Sequence, residues 1–160
     1  MVLKREPNQF SDAMRVEQIP GQQPRYFPGR FFHIDVCNHH RDKIATNCCT
    51  YLASATNLKT SEEISLKTVE FKWAGYVLPN AHILPQQARR FDAFWIAHDR
   101  PTLMQFNVYS DATDYIPRIE GAGRYRLIYV VVADNFPVSR GSFVVSLNES
   151  LQLTTLEHDS

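Results

Sequence analysis

The sequence predicts an all-β, antiparallel sandwich of about seven to nine strands, and three observations carry that expectation. From residue 30 onward, apolar and polar residues alternate over short runs, the period of a half-buried strand. These runs recur at roughly 8–12 residues with turn-forming residues between them, the spacing of sandwiches and barrels. No apolar period of 3.6 residues is sustained, and no internal repeat is present.

Residues 1–29 read differently from the rest. Pro7, Pro20, Gly21, Pro24, Pro28 and Gly29 interrupt any regular period, so this stretch is expected to be an extended arm or linker. Phe10, Tyr26 and Phe27 are its anchors, and the pattern supports at most one helical turn over 11–16. The sandwich is expected over 30–160, with a short polar tail. Its first strand sets Phe32, Ile34 and Val36 against His33, Asp35 and Cys37, and a polar turn over 38–43 follows. A second strand covers 44–53, with Thr46 and Asn47 signalling a bulge before Cys48. After a loop over 54–63, the run 64–73 places Val69, Phe71 and Trp73 on one face. Pro79 and Pro85 bracket a short strand, 80–84. In 90–97, regular alternation puts Phe91, Ala93 and Trp95 opposite Asp92, Phe94 and Ile96. Strands over 103–110, 125–133 and 142–147 complete the set. The second half of 125–133 is apolar on both faces, as in a strand central to a packed sheet.

Composition narrows the function classes. At 160 residues, 44% hydrophobic and 12% aromatic, the chain can build a core without disulfides or metal. Seventeen basic residues balance seventeen acidic ones, which gives nucleic-acid binding no support from counterion release. The cysteines are three, and Cys48 and Cys49 are adjacent, so a disulfide scaffold is not expected and a reducing, cytoplasmic setting fits better. A chain trimmed of a leader or membrane anchor would look the same. No run of about 18 apolar residues occurs, so no membrane span is expected.

Three segments carry a resemblance. The stretch Ile34-Asp35-Val36-Cys37-Asn38, followed by Ala45-Thr46-Asn47-Cys48, is similar to the "V-x-N … A-x-N" opening of bacterial and archaeal immunoglobulin-like accessory domains of the cell-adhesion-related type. Ile83-Leu84-Pro85-Gln86-Gln87 with Arg90-Phe91-Asp92 resembles their "L-x-P-G" turn and following strand, with Gln86 or Gln87 where that family has Gly. Gly123-Arg124-Tyr125-Arg126-Leu127 and Ala133-Asp134-Asn135 resemble their penultimate strand and its exit. The resemblance spans roughly 30–147. It implies an immunoglobulin-like sandwich acting as a spacer or binding module, and it brings no catalytic residue with it.

Each chemistry-bearing cluster also has a plainer reading. Cys37, His39, His40, Cys48 and Cys49 are thiolate and imidazole ligands of the kind zinc or copper(I) takes, if Cys37 and Cys48 face each other across the first hairpin. The spacing matches no common zinc signature, and core cysteines beside an exposed polar turn explain it better. Asp111, Asp114, Asp134 and Asn135 are oxygen ligands without a calcium-loop spacing. His98 and Asp99 form the one acid–base pair near an aromatic, Trp95, and neither a Gly-x-Ser-x-Gly elbow nor a Gly-rich phosphate loop is present. Arg89, Arg90, Arg124 and Arg126 make a moderate basic grouping, which strand-face arginines also explain.

These observations lead to a non-enzymatic interaction, spacer or oligomerisation module with no cofactor, whose partner is another protein or a second copy. A metal-binding or redox protein using the cysteine–histidine cluster is the alternative from a different class. A small-ligand sensor is the third, and it requires a pocket between the sheets.

Overall fold

The structure, a computed structural model, describes residues 1–5, 9–67, 69–75, 80–106 and 116–160. Two antiparallel sheets pack as a sandwich, and no α-helix occurs among the described residues. The strands are β1 (Val2–Lys4), β2 (Phe10–Glu17), β3 (Arg25–Cys37), β4 (Ala45–Asn57), β5 (Val69–Phe71) and β6 (Ala81–Ile83). They continue as β7 (Ala88–Ala97), β8 (Leu103–Gln105), β9 (Arg118–Glu120), β10 (Gly123–Ala133), β11 (Phe136–Leu147) and β12 (Thr155–His158). A 3₁₀ turn, Leu151–Leu153, precedes β12.

The first sheet runs β1-β3-β7-β8-β9, with β2 also on β3; the second runs β12-β11-β10-β4-β5, with β6 also on β4. Among the described residues there are twelve strand segments, against an expectation of seven to nine strands. Much of the excess comes from broken edges. Residues 2–4 and 10–17 lie end to end along β3, and β5 and β6 lie end to end along β4. Short interrupted edge strands are a common protection against edge-to-edge aggregation.

Within residues 1–29, read as an arm, β1, β2 and the start of β3 belong to the first sheet. Residues 11–16 are strand, not a helical turn, and the expected boundary at residue 30 falls inside β3. The prolines do not prevent this, because Pro20 and Pro24 lie in the 18–24 connection. Pro28 needs no N–H towards β2, where its partner is Met14 in a wide, non-hydrogen-bonded pair. β1 closes one flank of the sandwich: Leu3 is buried, and Ser139 Oγ on β11 donates to the Met1 carbonyl at 3.0 Å.

The core lies between the sheets and is rich in aromatics. Phe71, Trp73, Phe91, Tyr129 and Phe143 are all essentially inaccessible, with ring centroids 5.5–6.2 Å apart along the chain of contacts. Burying each such side chain is worth about 1.5–3 kcal/mol. Val69, Phe71 and Trp73 do share one face, although the regular strand is only β5. Beyond β5 the chain reaches across to the first sheet, where Trp73 bridges Phe91 and the Ala74 N–H donates to the Arg90 carbonyl at 2.8 Å. Trp73 Nε1 donates to the Cys48 carbonyl at 3.1 Å, so its one polar atom is satisfied.

The expected bulge in β4 is present. The β4–β6 register shifts between Ala45 and Cys48, and Asn47 takes φ +50°, a left-handed conformation that Asn tolerates. A second bulge breaks the alternation expected in β7. Phe32 pairs with Phe94 but His33 pairs with Asp92, so Ala93 is an extra residue. Phe91 and Ala93 face the core before the bulge, and Phe94 and Ile96 face it afterwards. Trp95, expected on the side of Phe91, instead packs on the outer face with Phe31 and Ala97.

Gly29 makes that outer packing feasible. A Cβ at this position would lie 2.4 Å from Trp95 Cζ2 and 2.6 Å from the Ile96 carbonyl oxygen. Gly29→Ala is therefore expected to destabilise the protein by about 2–3 kcal/mol through overpacking against a ring and a backbone that cannot retreat. Urea unfolding followed by tryptophan fluorescence would show this as a lower midpoint with an unchanged slope.

Candidate functional site

Cys37, His39, His40, Cys48 and Cys49 are placed by the crossing between the sheets. Cys37 ends β3 in the first sheet, while Cys48 and Cys49 lie on β4 in the second, so the two strands do not form a hairpin. Cys48 points into the core with Sγ 4.0 Å from Met1 Sδ, and Cys49 points outward with Sγ 3.3 Å from Asn80 Oδ1. His39 is exposed. His40 Nδ1 accepts the Lys43 N–H at 3.1 Å and lies 2.8 Å from Asp42 Oδ1, as a turn residue does. Among the described residues, no three His, Cys, Asp or Glu side chains are placed to hold a metal.

Asn38 organises this crossing. It is 1% exposed, and its Nδ2 donates to the carbonyls of Lys43 and Ile83 at 2.8 and 3.0 Å. Its Oδ1 accepts the His40 N–H at 3.1 Å. Gln86 takes φ +60° and donates from Nε2 to the carbonyls of His39 and His40. Those two bonds offset a backbone conformation that costs about 1–2 kcal/mol for a side-chain-bearing residue.

The remaining sequence candidates are dispersed. Asp111 and Asp114 lie outside the described residues. Asn135 braces the start of β4, with Oδ1 accepting the Thr46 N–H at 3.0 Å and Nδ2 donating to the Ile44 carbonyl at 2.7 Å. His98 and Asp99 sit in the exposed turn after β7. Arg89 and Arg90 are on β7 and Arg124 and Arg126 on β10, in different sheets, so they form no common basic patch.

Two surfaces of the first sheet stand out instead. On its outer face, Ser11 Oγ lies 2.8 Å from His33 Nε2, and His33 Nδ1 lies 2.7 Å from Asp92 Oδ1. A carboxylate can only accept, so Nδ1 carries a proton, and in the neutral imidazole Nε2 then accepts the Ser11 hydroxyl. The His33 and Asp92 side chains are 9% and 10% exposed, whereas Ser11 is open to solvent. One register step away, Arg90 holds Asp35 with two bonds, at 2.9 and 3.3 Å. Further along, Arg15 lies over Trp95, 5.5 Å from the ring centroid. The three residues of the Ser–His–Asp chain are separated by 22 and 59 positions, and no local motif links them. Only the register of β2, β3 and β7 brings them together.

The second surface is the inner face of the β2–β3 hairpin, where it runs past the second sheet. Cross-strand pairs Met14–Pro28 and Val16–Tyr26 lie on the same side as Phe10 and Phe32, but without cover. Met14, Val16 and Tyr26 are 57%, 51% and 60% exposed. Towards the core this face becomes an open cleft of about 630 Å³ between Phe10, Arg30, Phe32 and the segment Gln152 to His158. Arg5 closes its inner end, donating to the carbonyls of Gln9 at 2.7 Å and His33 at 2.6 Å and also to that of Leu156. Desolvation of this partly buried guanidinium lowers its pKa to about 10. Arg30 lies over the Phe10 ring and binds Asp12 through two bonds, at 2.7 and 3.1 Å.

Comparison with family models, curated proteins and solved structures gives no match. No helix among the described residues is long and apolar enough to cross a membrane.

Two expectations follow from the placement of these groups. Burial pushes the Cys48 thiol up to about 11, so at pH 8 it should stay unreactive towards a thiol reagent until the protein unfolds, while the half-buried Cys37 and Cys49 react before it. Peptide mapping after timed alkylation reads the order directly. Arg30 holds the Asp12 carboxyl below its ordinary 3.8. A depressed acid stabilises the fold above its unfolded pKa and loses that contribution as pH falls through the folded value. Below about pH 4 the wild type should therefore lose stability more steeply than Asp12→Asn, as measured by urea unfolding across the acid range.

Proposed function

We propose that the protein is an interaction module of immunoglobulin-like type that recruits an extended segment of another protein to the open edge of β2. The observation that carries this reading is the uncovered apolar stripe Met14, Pro28, Val16 and Tyr26 beside that edge. The His33 N–H donates to the Gln9 carbonyl at 3.1 Å, which sets the phase of the ladder. Alternation then directs the backbone groups of residues 11, 13, 15 and 17 to β3 and those of residues 10, 12, 14 and 16 to the open side. An incoming strand would gain backbone hydrogen bonds there and bury alternate apolar side chains on Met14 and Val16, as in β-strand addition.

Strand adjacency supports the immunoglobulin-like assignment. The β3–β7 and β4–β10–β11 neighbours follow the B–E and C–F–G order of such domains. The arrangement departs from that pattern in placing β8 and β9 after β7 in the chain, where the usual D strand precedes E.

Photo-crosslinking in cells tests this reading. A photoreactive residue at Val16 or Tyr26 should give discrete adducts, and one at Val138, 57% exposed on β11 of the other sheet, should not. Mass spectrometry of the adducts separates a second copy of this chain from a different protein. Folded protein of normal abundance with no adduct at either hairpin position would remove the reading.

A further inference from the structure

Ser11, His33 and Asp92 stand in the order nucleophile, base and orienting carboxylate, with both hydrogen bonds at ordinary length. The base and its carboxylate are packed into the sheet, which fixes their rotamers, while the hydroxyl faces solvent. We propose that Ser11 Oγ is an activated nucleophile that accepts acyl groups from small activated esters. This is independent of the binding role proposed above.

The geometry sets out the step. Oγ forms a bond to the acyl carbon as its proton passes to His33 Nε2, and Asp92 stabilises the imidazolium through Nδ1–H. The acyl–oxygen bond to the alcohol then breaks, and the alcohol leaves with that proton. Water releases the acid by the reverse route: His33 takes a proton from water, and Ser11 Oγ recovers it on leaving.

The oxyanion needs a donor, and ladder phase decides which one is available. Ser11 and Phe31 form a hydrogen-bonded pair, so the Ser11 N–H is committed to β3. The next amide, that of Asp12, points to the open edge beside Oγ. One donor in place of the usual two forfeits a factor of about 10²–10³ in rate. Fast acylation followed by slow release is the expected behaviour. Ser11 is flanked on its face by Ala13, Phe31 and His33, a shallow surface that suits a short acyl group. A strand docked on β2 would take the same Asp12 amide, so docking and acylation should exclude one another.

The full-length protein is treated with a fluorophosphonate probe and, separately, with p-nitrophenyl acetate, and modified peptides are mapped. One adduct at Ser11 is expected, absent in Ser11→Ala, and formed about 100-fold more slowly in His33→Gln. Asp92→Asn should slow it as well, with thermal melts showing which variants are folded at the assay temperature. Because Ser11 is exposed, Ser11→Cys keeps the test open if the buried variants do not fold: its thiol should be alkylated faster than that of Ala13→Cys, exposed on the same face but out of the His33 pair. Modification spread over many serines, no adduct at Ser11, an adduct rate unchanged in folded His33→Gln, or a Ser11→Cys thiol no faster than that of Ala13→Cys would each overturn the proposal.

Discussion

The extra residue in β7 organises both faces of the first sheet. Ala93 cannot be accommodated in the β3–β7 ladder, so its carbonyl turns towards the core, where the buried Tyr129 hydroxyl donates to it at 3.3 Å. Burial drives the Tyr129 pKa well above its ordinary value, and the neutral phenol remains a donor. Around this bond Phe71, Phe91 and Phe143 pack on the Tyr129 ring from both sheets. With the bulge, four β7 residues rather than three reach the core, and the outer face receives Asp92 beneath His33 and Trp95 beside Phe31. A regular strand could keep only one of these outer pairings, because a one-residue slip reverses every side chain beyond it.

The crossing from the first sheet to the second depends on a different device. A chain leaving a sheet presents backbone groups that lack ladder partners, and burying them unpaired is costly. Asn38 and Asn135 supply those partners from the two sides, Asn38 for the turn before β4 and for β6, Asn135 for the first residues of β4. The Cys37–Cys49 region is thus held by amide side chains. Its cysteines are distributed between two sheets and between core and surface, an arrangement that suits packing.

Both functional proposals use β2, for one structural reason. β2 is an edge strand, so half its backbone groups face outward, and its hairpin outruns the opposing sheet, so its inner side chains lack cover. The outer side chains remain under the control of β3 and β7 through His33. A surface with a rigid inner neighbour and an open outer edge can present a strand-docking site and a positioned hydroxyl within a few residues of each other.

Alternation and turn chemistry were enough to indicate two-sheet architecture, because each strand must bury one face whatever its neighbours are. The same local logic located the bulge before Cys48, where Thr46 and Asn47 break the period, and placed Val69, Phe71 and Trp73 on one side. It did not locate the bulge at Ala93, since Ala93 and Phe94 are both apolar and hide the phase change. It also read residues 1–29 as an arm, because prolines at strand ends look the same as prolines in a linker. The Ser11–His33–Asp92 chain, the uncovered hairpin face and the role of Asn38 were decided only by tertiary structure. Each depends on which residue of a distant strand lies opposite, and that register is set by the packing of the whole core rather than by any local run of residues.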